Sequence, residues 1–114
     1  MSDCLFCKIV NKEIPAKIVY EDDLCLVFED IHPQAPIHFL AIPKKHIKTF
    51  MDLGDEDSEF IASMIKGLQV CAEDNGLNKD GFRTVINNGK HGGQEVYHVH
   101  MHLLGGRQMD WPPG

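Results

Sequence analysis

The sequence predicts an α+β fold, in which mostly antiparallel strands form a sheet and one long helix packs on a face of that sheet. Short runs rich in β-branched and aromatic residues, separated by turn residues, indicate the strands. A single stretch with apolar residues at helical spacing indicates the long helix. The 114 residues, 43% of them hydrophobic, suffice for one soluble domain over 1–114 and leave no room for a second.

The first third of the chain predicts a short helix followed by a hairpin. Residues 4–12 have an amphipathic helical pattern that Pro15 must end. The β-rich runs 17–20 and 24–28 are separated by three acidic residues, which suggests two strands joined by a turn. Asp30 then lies just past the second strand.

The middle of the chain predicts a third strand and the long helix. The run 37–42 has the composition of a strand, which Pro43 closes. The acidic cluster 55–57 suits the positive end of a helix dipole, and apolar residues follow it at helical spacing over 61–72. Gly76 is a plausible C-terminal cap for that helix.

The last third predicts two more strands and an irregular tail. Residues 82–87 form an apolar strand, and the glycine-rich segment 89–93 is a flexible loop that leads into the run 97–104. The tail 111–114, Trp-Pro-Pro-Gly, can extend neither a sheet nor a helix.

Histidines stand at every second position of the last run, at His98, His100 and His102. In an extended strand side chains alternate between faces, so the three imidazoles line one face while Val99, Met101 and Leu103 enter the core. Neutral imidazole is both a metal ligand and a nucleophile or general acid and base, and the spacing leaves both chemistries open. Same-face residues lie roughly 6.5 to 7 Å apart, so a flat strand brings two rings to one metal more readily than three. A solvated polar face is the structural alternative.

The charge balance and the glycine loop bear on the kind of ligand. Eleven Lys and Arg against seventeen Asp and Glu give a net charge of −6, which disfavours a duplex nucleic-acid binder. Glycines at 89, 92 and 93 allow backbone N–H groups to approach an anionic oxygen, although such glycines also serve as plain turn formers. A small, locally held phosphate is therefore the expected anion.

The cysteines and the lack of apolar targeting segments predict a cytoplasmic protein without a membrane span. Cys25 and Cys71 fall among apolar residues and are expected in the core. The pair Cys4 and Cys7 forms a Cys-x-x-Cys motif, a weak signal that fits zinc, redox work or a coincidence of two thiols.

The run from His98 to Leu104 resembles the His-φ-His-φ-His-φ-φ signature (φ is hydrophobic) of the histidine-triad nucleotide-binding proteins. Segments 12–17, 33–36, 42–46 and 105–114 are similar to the Hint branch of that family, so the resemblance covers nearly the whole chain. It implies a five-stranded antiparallel sheet with one long and one short helix, and a homodimer.

The resemblance also implies an activity, the hydrolysis of purine nucleoside 5′-phosphoramidates without a required cofactor. His100 would attack phosphorus and form a nucleotidyl-histidine intermediate. His38 and His102 would serve the non-bridging oxygens and the protons, and His98 would orient its neighbour. The remaining binding residues implied are Asp30 for the ribose, Phe6, Ile9, Phe28 and Ile31 for the base, Asn87 and the Gly93 amide for the phosphate, and Trp111 across the dimer.

Three further expectations concern this chain's own residues and its rival functions. Glu95 stands where many Hint proteins have serine, which puts the leaving-group preference in question. Some bacterial relatives bind a structural zinc, and the matching ligands here are Cys4, Cys7, His46 and His98. Several relatives act on aminoacyl-adenylates made by aminoacyl-tRNA synthetases. The alternatives are a nucleotide-binding regulatory module with incidental hydrolysis and a metal-dependent hydrolase.

Overall fold

The computed structural model describes residues 3–114, so Met1 and Ser2 of the predicted 1–114 domain lie outside it. Five antiparallel strands form one sheet in the order β1-β2-β3-β5-β4. The elements are α1 (Leu5–Val10), β1 (Ile18–Glu21), β2 (Cys25–Glu29), β3 (Ile37–Pro43), α2 (Ser58–Asp74), α3 (Leu77–Asp80), β4 (Phe82–Val85), α4 (Gly89–Gly92) and β5 (Met101–Gly105), with single 3₁₀ turns at Phe50–Asp52 and Asp55–Asp57.

The two faces of the sheet are covered by different helices. On one face α2 packs its apolar stripe, including Met64 and Leu68, against side chains such as Val27 and Leu103. On the other face α1 packs against the alternate side chains of the same strands, which contribute a second buried cluster. This second cluster comprises Phe6, Ile9, Leu26, Phe28, Leu40 and Ile42.

The sheet register places two of the predicted site histidines on the α1 face. Leu40 of β3 lies opposite His102 of β5, and His38 lies opposite Leu104. Because side chains at every second position share a face, His38 and His102 are diagonal neighbours on the same side as Leu40. The center of the sheet, where β3 and β5 pair, therefore carries the polar groups of the site.

The predicted fold is confirmed, with three local differences. The structure has two single-turn helices, α3 and α4, in addition to the predicted long and short helices. Helix α4 occupies most of the segment 89–93, which was predicted to be a flexible loop. The third strand includes Pro43, which was predicted to close it. The last strand begins at Met101 rather than at residue 97.

The late start of β5 has a local cause at the end of its partner strand. The register that pairs Ala41 with Met101 would next bring Pro43 beside Val99, and proline has no N–H to donate to a ladder. The amide of Val99 instead donates to the carbonyl of Ile47 at 2.6 Å. The predicted burial still holds, since Met101 and Leu103 pack in the cluster with α2 and Val99 is buried as well.

None of the helices within residues 3–114 combines the length and the apolar character needed to cross a bilayer.

Candidate active site

A cavity of about 320 Å³ lies on the α1 face of the sheet. It is bounded by α1, by the end of β2, by the connection between β4 and β5, and by two histidines of the triad. All the predicted nucleotide-binding residues except Trp111 line it, together with His100 and His102. These residues are Phe6, Ile9, Phe28, Asp30, Ile31, Asn87, Gly93 and Glu95.

The ring of His100 is held with one nitrogen available to the cavity. Its Nδ1 lies 2.8 Å from the carbonyl oxygen of His98, and since a carbonyl can only accept, Nδ1 carries the proton. The neutral ring then has an unprotonated Nε2. The edge of Phe6 packs against the ring with centroids 5.1 Å apart. His100 is therefore positioned as a nucleophile through Nε2.

Burial favours the neutral form of His100. Desolvation lowers its pKa, while the hydrogen bond to the His98 carbonyl and the negative charges of Asp30 and Glu95 oppose that shift. The net direction is downward, so the ring is neutral around pH 7. A neutral imidazole is the form that can attack an electrophile.

A chain of hydrogen bonds fixes the protonation of His38 and His102. The backbone N–H of Gln34 donates to Nδ1 of His38 at 3.0 Å, so the proton of a neutral His38 is on Nε2. That Nε2 lies 2.9 Å from Nδ1 of His102 and 3.4 Å from Oδ2 of Asp30. The shorter contact makes Nδ1 of His102 the acceptor, which leaves an N–H on Nε2 of His102. His102 is thus a hydrogen-bond donor at the cavity.

Both of these histidines are kept neutral by burial. Desolvation lowers the pKa of His38, against the opposing charge of Asp30. Desolvation and then the neighbouring His100 and His38 lower the pKa of His102 to about 4. His38 does not line the cavity, since it lies behind His102.

The third triad member turns to a different set of partners. His98 is fully buried and donates from Nε2 to the carbonyl of Pro43 at 2.9 Å, so its Nδ1 lone pair faces away from Pro43. That Nδ1 lies 3.4 Å from Sγ of Cys4, 3.5 Å from Sγ of Cys7 and 3.2 Å from Nδ1 of His46. Mainly because of desolvation, the pKa of His98 is lowered to about 4.

The donor atoms of Cys4, Cys7, His46 and His98 suit a structural zinc ion. All four lie within 4.8 Å of one another, and two thiolates with two imidazoles make a closed tetrahedral set. The bond from His98 Nε2–H to a backbone carbonyl is the support that metal-bound histidines commonly have. The residues present therefore fit the metal.

A second cluster, formed by Asp30, His38 and His102, suits a metal poorly. Its three donor atoms also lie within 4.8 Å of one another. However, the Gln34 N–H occupies Nδ1 of His38, so Nε2 of the neutral ring keeps its proton and has no lone pair for a metal. The hydrogen bond to His102 explains this geometry without an ion.

The triad histidines do not converge on one point. His98 belongs to the cysteine cluster, His102 to the cluster with His38, and His100 to neither. A metal held by all three rings, as the metal-dependent hydrolase requires, does not fit these positions. His100 and His102 remain neighbours, with ring centroids 5.0 Å apart.

The residues predicted to hold the nucleoside occupy the part of the cavity beside α1 and β2. Phe6, Ile9 and Phe28 are buried, and Phe6 meets Phe28 edge to face at 5.5 Å between centroids. Ile31 is 85% exposed, so it borders the opening rather than the core. Asp30 is fixed by the backbone N–H of His32, which donates to Oδ1 at 2.8 Å.

Trp111 stands apart from this cavity. It is 83% exposed and is not among the residues of 3–114 that line the cavity. Its predicted role requires a dimer, because Trp111 would reach the cavity of the second protomer.

Sequence reasoning missed Gln94, a buried residue that ties the β4–β5 connection to the body of the fold. Its Oε1 accepts from the Gly89 N–H at 2.9 Å. Its Nε2 donates to the carbonyls of Lys48 at 2.9 Å and Val96 at 3.1 Å. No sequence pattern predicts these three hydrogen bonds, because every partner of the Gln94 side chain is a backbone group.

The fold and the cavity define a class of protein in which two histidines, one just before the last strand and one within it, present an unprotonated ring nitrogen and a hydrogen-bond donor to a ligand pocket. The chain belongs to the HIT domain family, which matches residues 11–109. An uncharacterized HIT-like protein of Synechococcus elongatus is 51% identical over 112 residues, which are 98% of this chain and 97% of that protein.

Solved structures show the same fold. A HIT family hydrolase from Legionella pneumophila has a TM-score of 0.95 and 56% sequence identity, and the match covers 98% of this chain and 100% of that chain. A histidine triad nucleotide-binding protein from Candida albicans has a TM-score of 0.83 and 30% identity, with 96% of this chain and 83% of that chain covered.

Proposed function

We propose that this protein hydrolyses purine nucleoside 5′-phosphoramidates to a nucleoside monophosphate and an amine. The observation that carries the proposal is the orientation of His100, whose Nδ1–H is held by the His98 carbonyl and whose Nε2 is left unprotonated beside the cavity. One solved relative is named a hydrolase, which supports the proposed reaction, and another is named a nucleotide-binding protein, which supports the proposed ligand.

In the proposed first step, Nε2 of His100 attacks phosphorus as the P–N bond breaks, and the departing amine takes a proton from solvent, which the water of the second step returns. His102 donates its Nε2–H to a non-bridging oxygen, where negative charge must be stabilised. In the second step a water molecule attacks phosphorus and the P–Nε2 bond breaks, which returns neutral His100. Over both steps one water is consumed, its proton ending on the amine and its hydroxyl on phosphorus. No cofactor takes part.

The same proposal assigns the nucleoside to the wall formed by α1 and β2. Phe6, Ile9 and Phe28 give an apolar slot for the base, with Ile31 at its border. The carboxylate of Asp30 accepts hydrogen bonds from ribose hydroxyls. Asn87 and the backbone N–H of Gly93, which line the same cavity as His100, donate to the phosphate.

We further propose that a structural zinc ion binds Cys4, Cys7, His46 and His98. When bound, it supplies a rigid tetrahedral crosslink and no chemistry of the reaction. Cys4 is the N-cap residue of α1, and α1 carries Phe6 and Ile9 of the cavity wall. The thiols must be reduced to bind the metal, which suits a cytoplasmic location.

A homodimer belongs to the same proposal. Among the described strands β4 pairs only with β5, and its Phe82 is 41% exposed at that edge of the sheet. A second copy would cover this apolar surface and bring the tail with Trp111 near a neighbouring cavity. Sedimentation at micromolar concentration should show a dimer, and a monomer there would contradict this part.

The covalent intermediate is the direct test. The protein is mixed with adenosine 5′-phosphoramidate, denatured at alkaline pH, and digested for mass spectrometry. The adenylyl mass should be found on the peptide that contains His100. It should be lost in His100→Ala and kept in His91→Ala, which alters an exposed histidine of α4.

The rival function has a distinct outcome. If hydrolysis persists in His100→Ala and no adduct forms, the cavity belongs to a nucleotide-binding module with incidental hydrolysis. Aminoacyl-adenylates, the products of aminoacyl-tRNA synthetases, are tested as alternative substrates in the same assay.

A further inference from the structure

The cavity has an unusual charge balance for a site that takes a phosphate. Three carboxylates line it, those of Glu29, Asp30 and Glu95. No lysine or arginine within residues 3–114 is part of its lining. A phosphoramidate anion therefore meets histidines, an amide side chain and acidic groups, but no fixed positive side chain.

Two of the three carboxylates are already engaged. Glu29 forms an ion pair with Lys17 at 3.2 Å. Asp30 accepts a backbone hydrogen bond at Oδ1, and its Oδ2 lies 3.4 Å from His38. The side chain of Glu95 makes neither a hydrogen bond nor an ion pair with any other residue in the described part of the chain, and it is exposed. The unbalanced negative charge of the cavity is thus that of Glu95.

The topology separates Glu95 from the nucleoside wall. Asp30 follows β2, whereas Asn87 and Glu95 lie in the connection between β4 and β5. In the sheet order β3 and β5, which carry His38 and His102, stand between β2 and β4. Glu95 and Asp30 therefore belong to connections that follow strands on either side of β3 and β5, and both line the cavity. Glu95, His100 and His102 line the same cavity, so the carboxylate faces the space in which the reacting group would lie.

We propose that Glu95 is a specificity-determining residue that favours substrates whose leaving group carries a positive charge. This inference rests on the proposed function, because it names the substrate class of the same site. A phosphoramidate with a neutral leaving group brings only a negative charge toward Glu95, which repels it. An ammonium a few carbons beyond the P–N bond pairs with the carboxylate and removes that repulsion.

The test is a charge series at constant chain length. Adenosine 5′-phosphoramidates of 1,4-diaminobutane, pentylamine and 5-aminopentanoate place a positive, a neutral and a negative group at the same position. For the wild-type protein we expect kcat/KM to fall in that order, by about threefold to fivefold at each change of charge at low salt, the upper part of the range for exposed ion pairs. The differences should shrink as salt is raised to about 0.5 M.

Glu95→Gln is the decisive variant, because it keeps the shape of the side chain and removes the charge. It should bring the three substrates to within about twofold of one another, after which the remaining differences report the basicity of the amines. Glu73→Gln is the matched control, since it removes one negative charge from an exposed position on α2, on the other face of the sheet. It should leave the wild-type order unchanged.

The outcomes separate the two proposals. If the wild-type protein hydrolyses the neutral substrate but shows no order with charge, or the same order in Glu95→Gln, the inference about Glu95 is wrong and the proposed function stands. If it hydrolyses none of the three, the proposed function fails and the selectivity fails with it.

Discussion

The protonation relay from Gln34 through His38 to His102 can be tested by the substitution His38→Phe. Phenylalanine fills the buried position but offers neither an acceptor to the Gln34 N–H nor a donor to His102. The hydrogen bond that keeps the proton of His102 on Nε2 is then lost. His102 becomes able to place its proton on Nδ1 instead, which would withdraw the donor from the cavity.

The magnitude follows from the bond that is removed. A single hydrogen bond of this kind is worth about 1 kcal/mol, so the preference of His102 for the Nε2–H form should fall by about fivefold. The effect on kcat/KM should be at most about fivefold, because the population of the Nε2–H form cannot fall by more than this preference does. A variant such as His102→Phe deletes the donor altogether, and its loss should be larger, about 100-fold to 1000-fold. The ratio between these two variants distinguishes positioning from direct contact.

The assay combines rates with a direct view of the ring nitrogens. Hydrolysis of adenosine 5′-phosphoramidate gives kcat and KM for each variant. Nitrogen NMR of labelled histidine distinguishes an N–H from a lone pair, and should show His102 protonated on Nε2 in the wild type and mixed in His38→Phe. His38→Gln, which can still donate and accept, should recover part of the rate.

Two results would refute this reasoning. One is a wild-type His102 protonated on Nδ1. The other is an unchanged His102 tautomer in His38→Phe together with a rate loss as large as that of His102→Phe, which would place His38 in direct contact with the substrate.

Three further predictions concern stability. Gln94→Leu should lower the free energy of unfolding by about 2 to 4 kcal/mol in urea titrations, because it leaves three backbone groups without partners; an unchanged midpoint would contradict this. If zinc occupies the cysteine and histidine cluster as proposed, chelation should lower Tm by at least about 5 °C, and Cys7→Ser, which lacks one ligand, should respond much less. The pKa of His102 is about 4 in the folded chain, whereas its ordinary value in an unfolded chain is 6.5. The free energy of unfolding should therefore fall as the pH is lowered between these two values. Urea titrations at pH 7 and pH 4.5 should show a smaller loss of stability for His102→Gln than for the wild type.

The sheet and its main helix were predictable because their signals are local. The alternation from Val99 to Leu103 requires only that one face be buried, and the structure buries that face. Gly76 follows α2 in the left-handed conformation, at φ +71, as expected of a glycine that terminates a helix. These features depend on neighbours within a few residues, which the sequence displays directly.

The connection between β4 and β5 was less predictable, because distant backbone groups determine its path. The glycines within 89–93 are compatible with a flexible loop and equally with the helical turn α4. What holds the turn is the Gln94 side chain, whose partners include the carbonyl of Lys48, 46 residues away. No periodic pattern reports a side chain that bonds to a remote backbone carbonyl.

In the candidate site, the sequence predicts which residues come together but not which ring nitrogens carry protons. The sequence indicates that three histidines share a face, and most of the nucleotide-binding residues that the family resemblance implied do line one cavity. It gives no sign of which nitrogen of each ring is protonated. The carbonyl of Pro43 decides this for His98, and the amide of Gln34 decides it, through His38, for His102.

Three identical side chains can therefore differ in chemistry because different backbone groups fix their protons. The Pro43 carbonyl leaves His98 with a lone pair toward the cysteines, and the carbonyl of His98 leaves His100 with a lone pair toward the cavity. The first arrangement supports the second, since the carbonyl that orients His100 belongs to His98, whose ring faces the two cysteines. Movement of His98 would displace the acceptor that keeps Nε2 of His100 unprotonated. The alternate spacing of the histidines thus places a ring that faces the cysteines, a ring with an unprotonated Nε2 at the cavity and a hydrogen-bond donor within five consecutive residues.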